Sequence, residues 1–279
     1  MTKSGAYARG AWIAAAAVLV LLGTILPAFC AGSGMTIKGS TTVLPIAQVA
    51  AEEFMNKNPG ISISVQGGGS GVGIASLLDG TTDIADASRK IKDTEVQKAR
   101  SKGVEPFENI IAMDGIAVVV HPSNPIHRLT RDQIRAVYTG RISDWTELGG
   151  RGSRIVVISR DTSSGTFEAF EELALSKDKV RPDAMTTASN QATAQIVAQT
   201  PGAIGYIGFG YVSPKVKAVE VDGVPCTRAN ILKGAYTLSR PLFMYTNGSP
   251  SGSVKKFIDF VLSPEGQKLV GEEGFVGLK

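Results

Sequence analysis

The chain has 279 residues, with 29 lysines and arginines against 25 acidic residues, a formal charge of +4. Hydrophobic residues make up 43% and charged residues 19%, which supports a packed core and argues against disorder. The weak charge, without a basic run, argues against a nucleic-acid partner. Two cysteines and two histidines are too few for a disulfide scaffold or a Cys/His-rich metal centre, so no metal or cofactor is expected.

Residues 1–30 read as a secretory signal peptide. Lys3 and Arg9 precede an apolar run at 13–26, Pro27 ends it, and Ala28-Phe29-Cys30-Ala31 puts small residues where a cut after Cys30 needs them. The run is shorter than the roughly 20 residues of a membrane-spanning helix, the first alternative. Lipid modification at Cys30 is the second, but Phe29 is bulky where that chemistry wants a small residue. The expected location is the periplasm, or the cell surface if the segment is retained or lipidated. Cleavage would lower the charge from +4 to +2 and leave Cys226 as the one cysteine. That thiol reads as a small buried hydrophobe.

Beyond the signal, short apolar strands alternate with amphipathic helices. A strand at 35–38 leads to a helix at 43–58, with Thr41 or Thr42 as its cap and Pro45 in the first turn. Alternation predicts a strand at 61–66, then a loop at 67–70 and a helix at 71–79. A strand at 84–87 and a helix at 93–101, with an aspartate cap, follow. Two buried strands, 110–112 and 116–120, flank Asp114-Gly115. Thr130 and Gln133 form a capping box that opens a helix at 131–138. Next come a strand at 155–158, a polar loop at 160–166 and helices at 167–175 and 191–199. Strands at 203–207 and 242–245 precede helices at 253–262 and 264–272. The fold class is α/β with a mostly parallel sheet. No repeats are visible.

Three strand-to-helix loops share one composition: Gly39-Ser40-Thr41-Thr42, Gly67-Gly68-Gly69-Ser70-Gly71, and Ser159-Arg160-Asp161-Thr162-Ser163-Ser164-Gly165-Thr166. Each sets hydroxyls and bare backbone at a helix N-terminus, whose first N–H groups lack internal partners and attract anions. Any one such loop is most simply a cap or turn. Three of them, one carrying Arg160, suggest a small oxyanion gripped by neutral donors plus a guanidinium. Such ligands sit at the carboxyl ends of strands in α/β sheets. Ser88-Arg89 also follows a strand. Arg89 reads either as a second guanidinium for the anion or as a solvated surface arginine.

Competing motifs are missing. The sequence has no G-x-x-x-x-G-K-[ST] and no G-x-G-x-x-G within 67–73, which argues against a nucleotide loop. No serine has a glycine two residues away on both sides, as a nucleophile elbow requires. His121 and His127 adjoin Pro122 and Arg128 on a loop and are poorly placed to act as a base.

The ordered motifs resemble the phosphate-binding proteins of phosphate-specific ABC transporters. They are Gly39-Ser40-Thr41-Thr42-Val43-Leu44-Pro45, Gln66-Gly67-Gly68-Gly69-Ser70-Gly71, Ala87-Ser88-Arg89, Tyr138-Thr139-Gly140-Arg141-Ile142-Ser143-Asp144-Trp145 and Ser163-Ser164-Gly165-Thr166-Phe167. The likeness runs in order from about residue 35 onward. It implies a two-lobed periplasmic-binding-protein fold of type II, joined by a two-strand hinge. Asp114–Val120 of the sequence and Ser239-Arg240-Pro241-Leu242 fit the two crossovers. The implied lobes are 31–114 with 238–279, and 115–237.

The resemblance also implies ligands: Thr41 and Thr42; Ser70 with Gly69 or Gly71; and Arg160 as the charged clamp with Ser164, Gly165 and Thr166. The loop and strand-end reading adds Ser40, Ser88, Arg89 and Ser163 to the candidate set. Some family members place an aspartate after the Ala-Ser of the third strand, where it accepts phosphate's proton. Such a carboxylate repels sulfate, which has no proton to give. Here Arg89 takes that place, and Asp114, Asp161 and Asp86 are the candidate acceptors, with Asp161 alternatively orienting Arg160. The implied activity is capture of inorganic phosphate by a monomer and delivery to a membrane-embedded ABC permease, without catalysis. The alternatives are a binding protein or sensor for another tetrahedral oxyanion and, from another class, an exported Ser-based hydrolase.

Overall fold

The computed structural model describes residues 33–278; the expected signal segment lies outside them. Eleven strands and nine α-helices follow in the described chain. They are β1 (Ser33–Gly39), α1 (Leu44–Lys57), β2 (Ile61–Gly67), α2 (Ser70–Leu78), β3 (Ile84–Ala87), α3 (Asp93–Ser101), β4 (Pro106–Val120), β5 (Arg128–Leu129) and α4 (Arg131–Tyr138). Then come β6 (Val156–Arg160), α5 (Gly165–Leu173), β7 (Met185–Thr187), α6 (Asn190–Gln199), β8 (Ala203–Gly208), β9 (Lys217–Ala218), β10 (Glu220–Val221), α7 (Arg228–Leu232), β11 (Ser239–Asn247), α8 (Gly252–Leu262) and α9 (Pro264–Glu272).

Hydrogen bonding links the strands in the order β2-β1-β3-β11-β4-β8-β6-β7, with β9 also on β4. The two ends are parallel, as the alternation of strands and helices predicts, while β11 and β4 run antiparallel through the middle. Residues 110–112 and 116–120 are not two strands. They belong to one 15-residue strand, β4, that passes straight through Asp114-Gly115. The strand changes partner there, pairing β11 up to Gly115 and β8 from Ile116.

The hydrophobic core changes at the same place. Ile111 and Ala112 pack with Ile37, Ile46 and Phe257. Ile116 to Val120 pack with Tyr138, Phe170 and Tyr206. A third cluster, of Ile74, Leu77 and Ala99, covers the opposite face of β3 on the first side. The molecule thus has two hydrophobic units that share β4, which we call the first unit (α1, α2, α3) and the second unit (α4, α5, α6).

Two helix starts differ from expectation. Neither Thr41 nor Thr42 caps α1. Val43 holds the cap position with no side-chain bond, because Ser40 accepts the turn's N–H groups and the threonine hydroxyls are engaged elsewhere. At α3 the cap is Lys92, not Asp93, and Glu95 reaches back to its N–H. The capping box of Thr130 and Gln133 forms as the sequence predicts.

Candidate functional site

The register sets Gly39 of β1 beside Gly67 of β2 and Asp86 of β3, so the loops after these strands start together. In the second unit Arg160, the last residue of β6, lies beside Thr187, the last of β7. The loops from both sets of strand ends touch each other. Thr42 Oγ1 of the first loop is 2.9 Å from Thr166 Oγ1 of the third. Ser163 Oγ donates to Gly68 O at 3.0 Å, and Gly71 N donates to Ser163 O at 3.0 Å.

Close approach explains one glycine in each facing loop. A Cβ on Gly165 would stand 2.2 Å from Ser70 Oγ and 2.9 Å from Ser88 Oγ. A Cβ on Gly69, whose φ is +97°, would stand 2.5 Å from Ser163 O. Side chains larger than hydrogen would force the loops apart.

The hydroxyls divide by task. Ser40 Oγ accepts the Thr42 N–H at 3.1 Å and Ser164 Oγ caps α5 through the Phe167 N–H at 3.2 Å, so both shape their own loops. Ser70 Oγ accepts the Ser88 N–H at 3.0 Å and ties the second loop to β3. Ser163 and Gly71 are spent on the loop-to-loop contact. Thr41, Thr42 and Thr166 turn toward the junction.

Arg160 is buried at the centre. Its Nε donates to Thr187 O at 3.2 Å, and its Nη2 donates to Ala188 O at 3.1 Å and Thr41 Oγ1 at 3.3 Å. Its Nη1 is enclosed and has no partner. Burial pulls this guanidinium below its ordinary range, and Asp161 opposes the shift only from 3.9 Å. Asp161 is instead bound to the Ser163 N–H at 2.9 Å and to its hydroxyl. Orientation of Arg160 falls to the Thr187 and Ala188 carbonyls. Among the described residues, no acceptor engages the N–H groups of Thr41, Gly165 or Thr166.

Two residues outside the expected set complete the junction. Asn190, the first residue of α6, donates to Thr42 Oγ1 at 3.0 Å and Thr41 Oγ1 at 3.3 Å, while its Oδ1 accepts the Gly208 N–H at 3.1 Å. A small polar residue at a helix start was a readable signal. Arg240 of β11 donates to Thr166 Oγ1 at 2.9 Å and Gly165 O at 3.2 Å. It also pairs with Asp114 at 2.9 Å, and Asp114 accepts the Phe209 N–H at 2.9 Å. Burial pushes the Asp114 carboxyl up, and the short pair with Arg240 opposes this.

Arg89 does not join the loops. Its Nη1 and Nη2 each donate to Glu95 at 2.8 Å, and its Nε lies 2.8 Å from Glu168, off the hydrogen-bond direction. It is neither a ligand-facing guanidinium nor a solvated arginine. Asp86 is buried with one carboxyl oxygen unpartnered, and burial raises it well above the carboxylate range. Cys226 is buried as expected, its thiol pushed up by burial.

Known proteins resemble this chain along most of its length. The family model of the PBP superfamily domain matches residues 27–265. The phosphate-binding protein PstS of Bacillus subtilis (strain 168) is 34% identical over 88% of this chain and 81% of its own. PstS of Pseudomonas aeruginosa is 31% identical, covering 96% of this chain and 91% of its own. Among solved structures, a candidate phosphate ABC transporter substrate-binding protein of Clostridium perfringens, with bound phosphate, is 38% identical. It superposes with a TM-score of 0.83 over 88% of this chain and 100% of its own.

Proposed function

Because the chain belongs to the PBP superfamily and to its phosphate-binding PstS proteins, we propose that it binds inorganic phosphate at the loop junction and delivers it to an ABC importer. The observation that carries this reading is Arg160 Nη1, a buried cationic donor without a partner, in a junction whose loops also leave the Thr41, Gly165 and Thr166 N–H groups free. A buried charge left unpaired is costly. An anion that accepts from Nη1 and from the Thr41, Gly165 and Thr166 N–H groups removes that cost. The α5 N-terminus adds its dipole.

In this reading, 31–114 with 238–279 form one lobe and 115–237 the other. Closure flexes β4 and β11 near Asp114 and Arg240, with a dehydrated anion between the lobes. Thr41, Thr42, Ser70, Ser88, Gly165 and Thr166 surround it, and Ser40, Gly69, Gly71, Ser163 and Ser164 hold the loops in shape. No bond is made or broken, so the protein binds and releases without turnover. The charged and apolar segment at 1–30 supports export to the periplasm or cell surface.

One observation favours a broader oxyanion reading. Asp114 is paired with Arg240, and Ser163 holds one of the two Asp161 oxygens, so neither offers a wholly free carboxylate to reject sulfate. Titration calorimetry with phosphate, arsenate, sulfate and molybdate separates the two. Binding of phosphate and arsenate alone is expected; equal binding of sulfate would establish a general oxyanion site, and heat from none would remove the reading.

A further inference from the structure

The rim of the junction holds a charged cluster that the anion does not need. Arg89 leaves the end of β3 in the first unit and is fixed by its two bonds to Glu95 of α3. Glu168 belongs to α5 in the second unit, on the helix that packs Phe170 into that core. Glu168 Oε2 lies 2.8 Å from Arg89 Nε and 2.7 Å from Lys92 Nζ. Two cations of one unit therefore hold one carboxylate of the other. The Arg89 and Glu168 side chains are only 7% and 16% exposed, whereas Lys92 is 52% exposed. Water and salt screen the inner pair less than the outer one.

The location gives the pair leverage. Glu168 sits in the first turn of α5, whose opening residues Gly165 and Thr166 carry the free N–H groups assigned to the anion. Anchoring that turn anchors the N–H donors. Two cations and two carboxylates also balance, so the rim adds no charge that would draw the anion from Arg160.

We propose that Arg89, Lys92 and Glu168 form an ionic clasp across the two units that closes over the bound anion and slows its release. The clasp rests on the phosphate reading but makes its own predictions. Residues 89, 92 and 168 act as positioning residues and do not touch the ligand.

The test is the rate of phosphate release from wild type, Glu168→Gln and Lys92→Ala, followed by stopped flow at low and high salt. The wild-type off-rate should rise with salt. Glu168→Gln should release phosphate roughly three- to tenfold faster, with an unchanged on-rate and little salt response. Lys92→Ala should fall between the two, and serves if Glu168→Gln folds poorly. Unchanged off-rates in the variants would overturn the clasp. So would an equal loss of Tm with and without phosphate, which would make the cluster a support of the fold alone. If wild type binds no phosphate, the ligand reading fails, and the clasp is then judged by small-angle scattering without ligand. Added salt should expand wild type but not Glu168→Gln; equal responses would overturn it.

Discussion

At the centre of the junction, Arg160 hydrogen-bonds only neutral oxygens, Thr41 Oγ1, Thr187 O and Ala188 O, with the Asp161 carboxylate no nearer than 3.9 Å. At the rim, Arg89 meets two carboxylates, Glu95 and Glu168. Both guanidiniums are largely buried, and burial disfavours the charge of each. The carboxylates more than offset this at Arg89, whereas at Arg160 burial prevails. The difference teaches how one seam separates binding from holding. A cation left short of negative charge is a site, and a cation already neutralised is a fastener.

The strongest way to break this contrast is to turn a neutralised arginine into an unpaired one. Asp114→Asn leaves Arg240 buried without its carboxylate and should cost about 3–5 kcal/mol of folding stability, read by denaturant unfolding. A loss under 1 kcal/mol on the order of a surface pair would show that Asp114 does not neutralise Arg240. Arg160→Ala removes the unpaired cation itself. Phosphate affinity should fall on the order of 100-fold or more by calorimetry, with the ligand-induced rise in Tm lost. An unchanged rise would remove Arg160 from the site.

Gly165→Ala sharpens the contrast from the steric side. The new Cβ collides with Ser70, so joining the loops should cost roughly 1–3 kcal/mol, seen as weaker phosphate binding. Full affinity would mean that the loops need not touch. The smallest effect concerns Asp86, whose carboxyl is raised by burial alone. Its folded form holds a proton that the unfolded chain gives up near pH 4. Stability from this group is therefore full below that pH and lost as pH rises toward the folded value. Asp86→Asn should raise Tm more at alkaline than at acid pH. A pH-independent change would show that Asp86 does not titrate this way.

Much of the site was legible because its chemistry is local. One Ser/Thr/Gly turn between a strand and a helix marks only a cap, but three of them together mark anion loops, and Arg160 ends the strand that feeds the third. The mixed sheet was less legible. A continuous apolar β4 and an interrupted one have the same pattern around Asp114-Gly115, and only pairing with β11 decides between them. The fate of Arg89 was only half legible: Glu95, which takes both its terminal nitrogens, is six residues away, but Glu168 is far away in sequence and belongs to the other unit. Arg240 stands in a recognisable Ser-Arg-Pro-Leu crossover, but its reach to Gly165 and Thr166 arises only when the loops meet. Residues marked by their own loop could be read; which partners they find across the seam could not.

The most direct measurement is a crystal structure with phosphate. The account predicts the ion between the two loop sets, accepting from Arg160 Nη1 and from the Thr41, Gly165 and Thr166 N–H groups, with Arg89 still on Glu168. Phosphate bound to Arg89 at the rim, with Arg160 Nη1 left unpartnered, would contradict it.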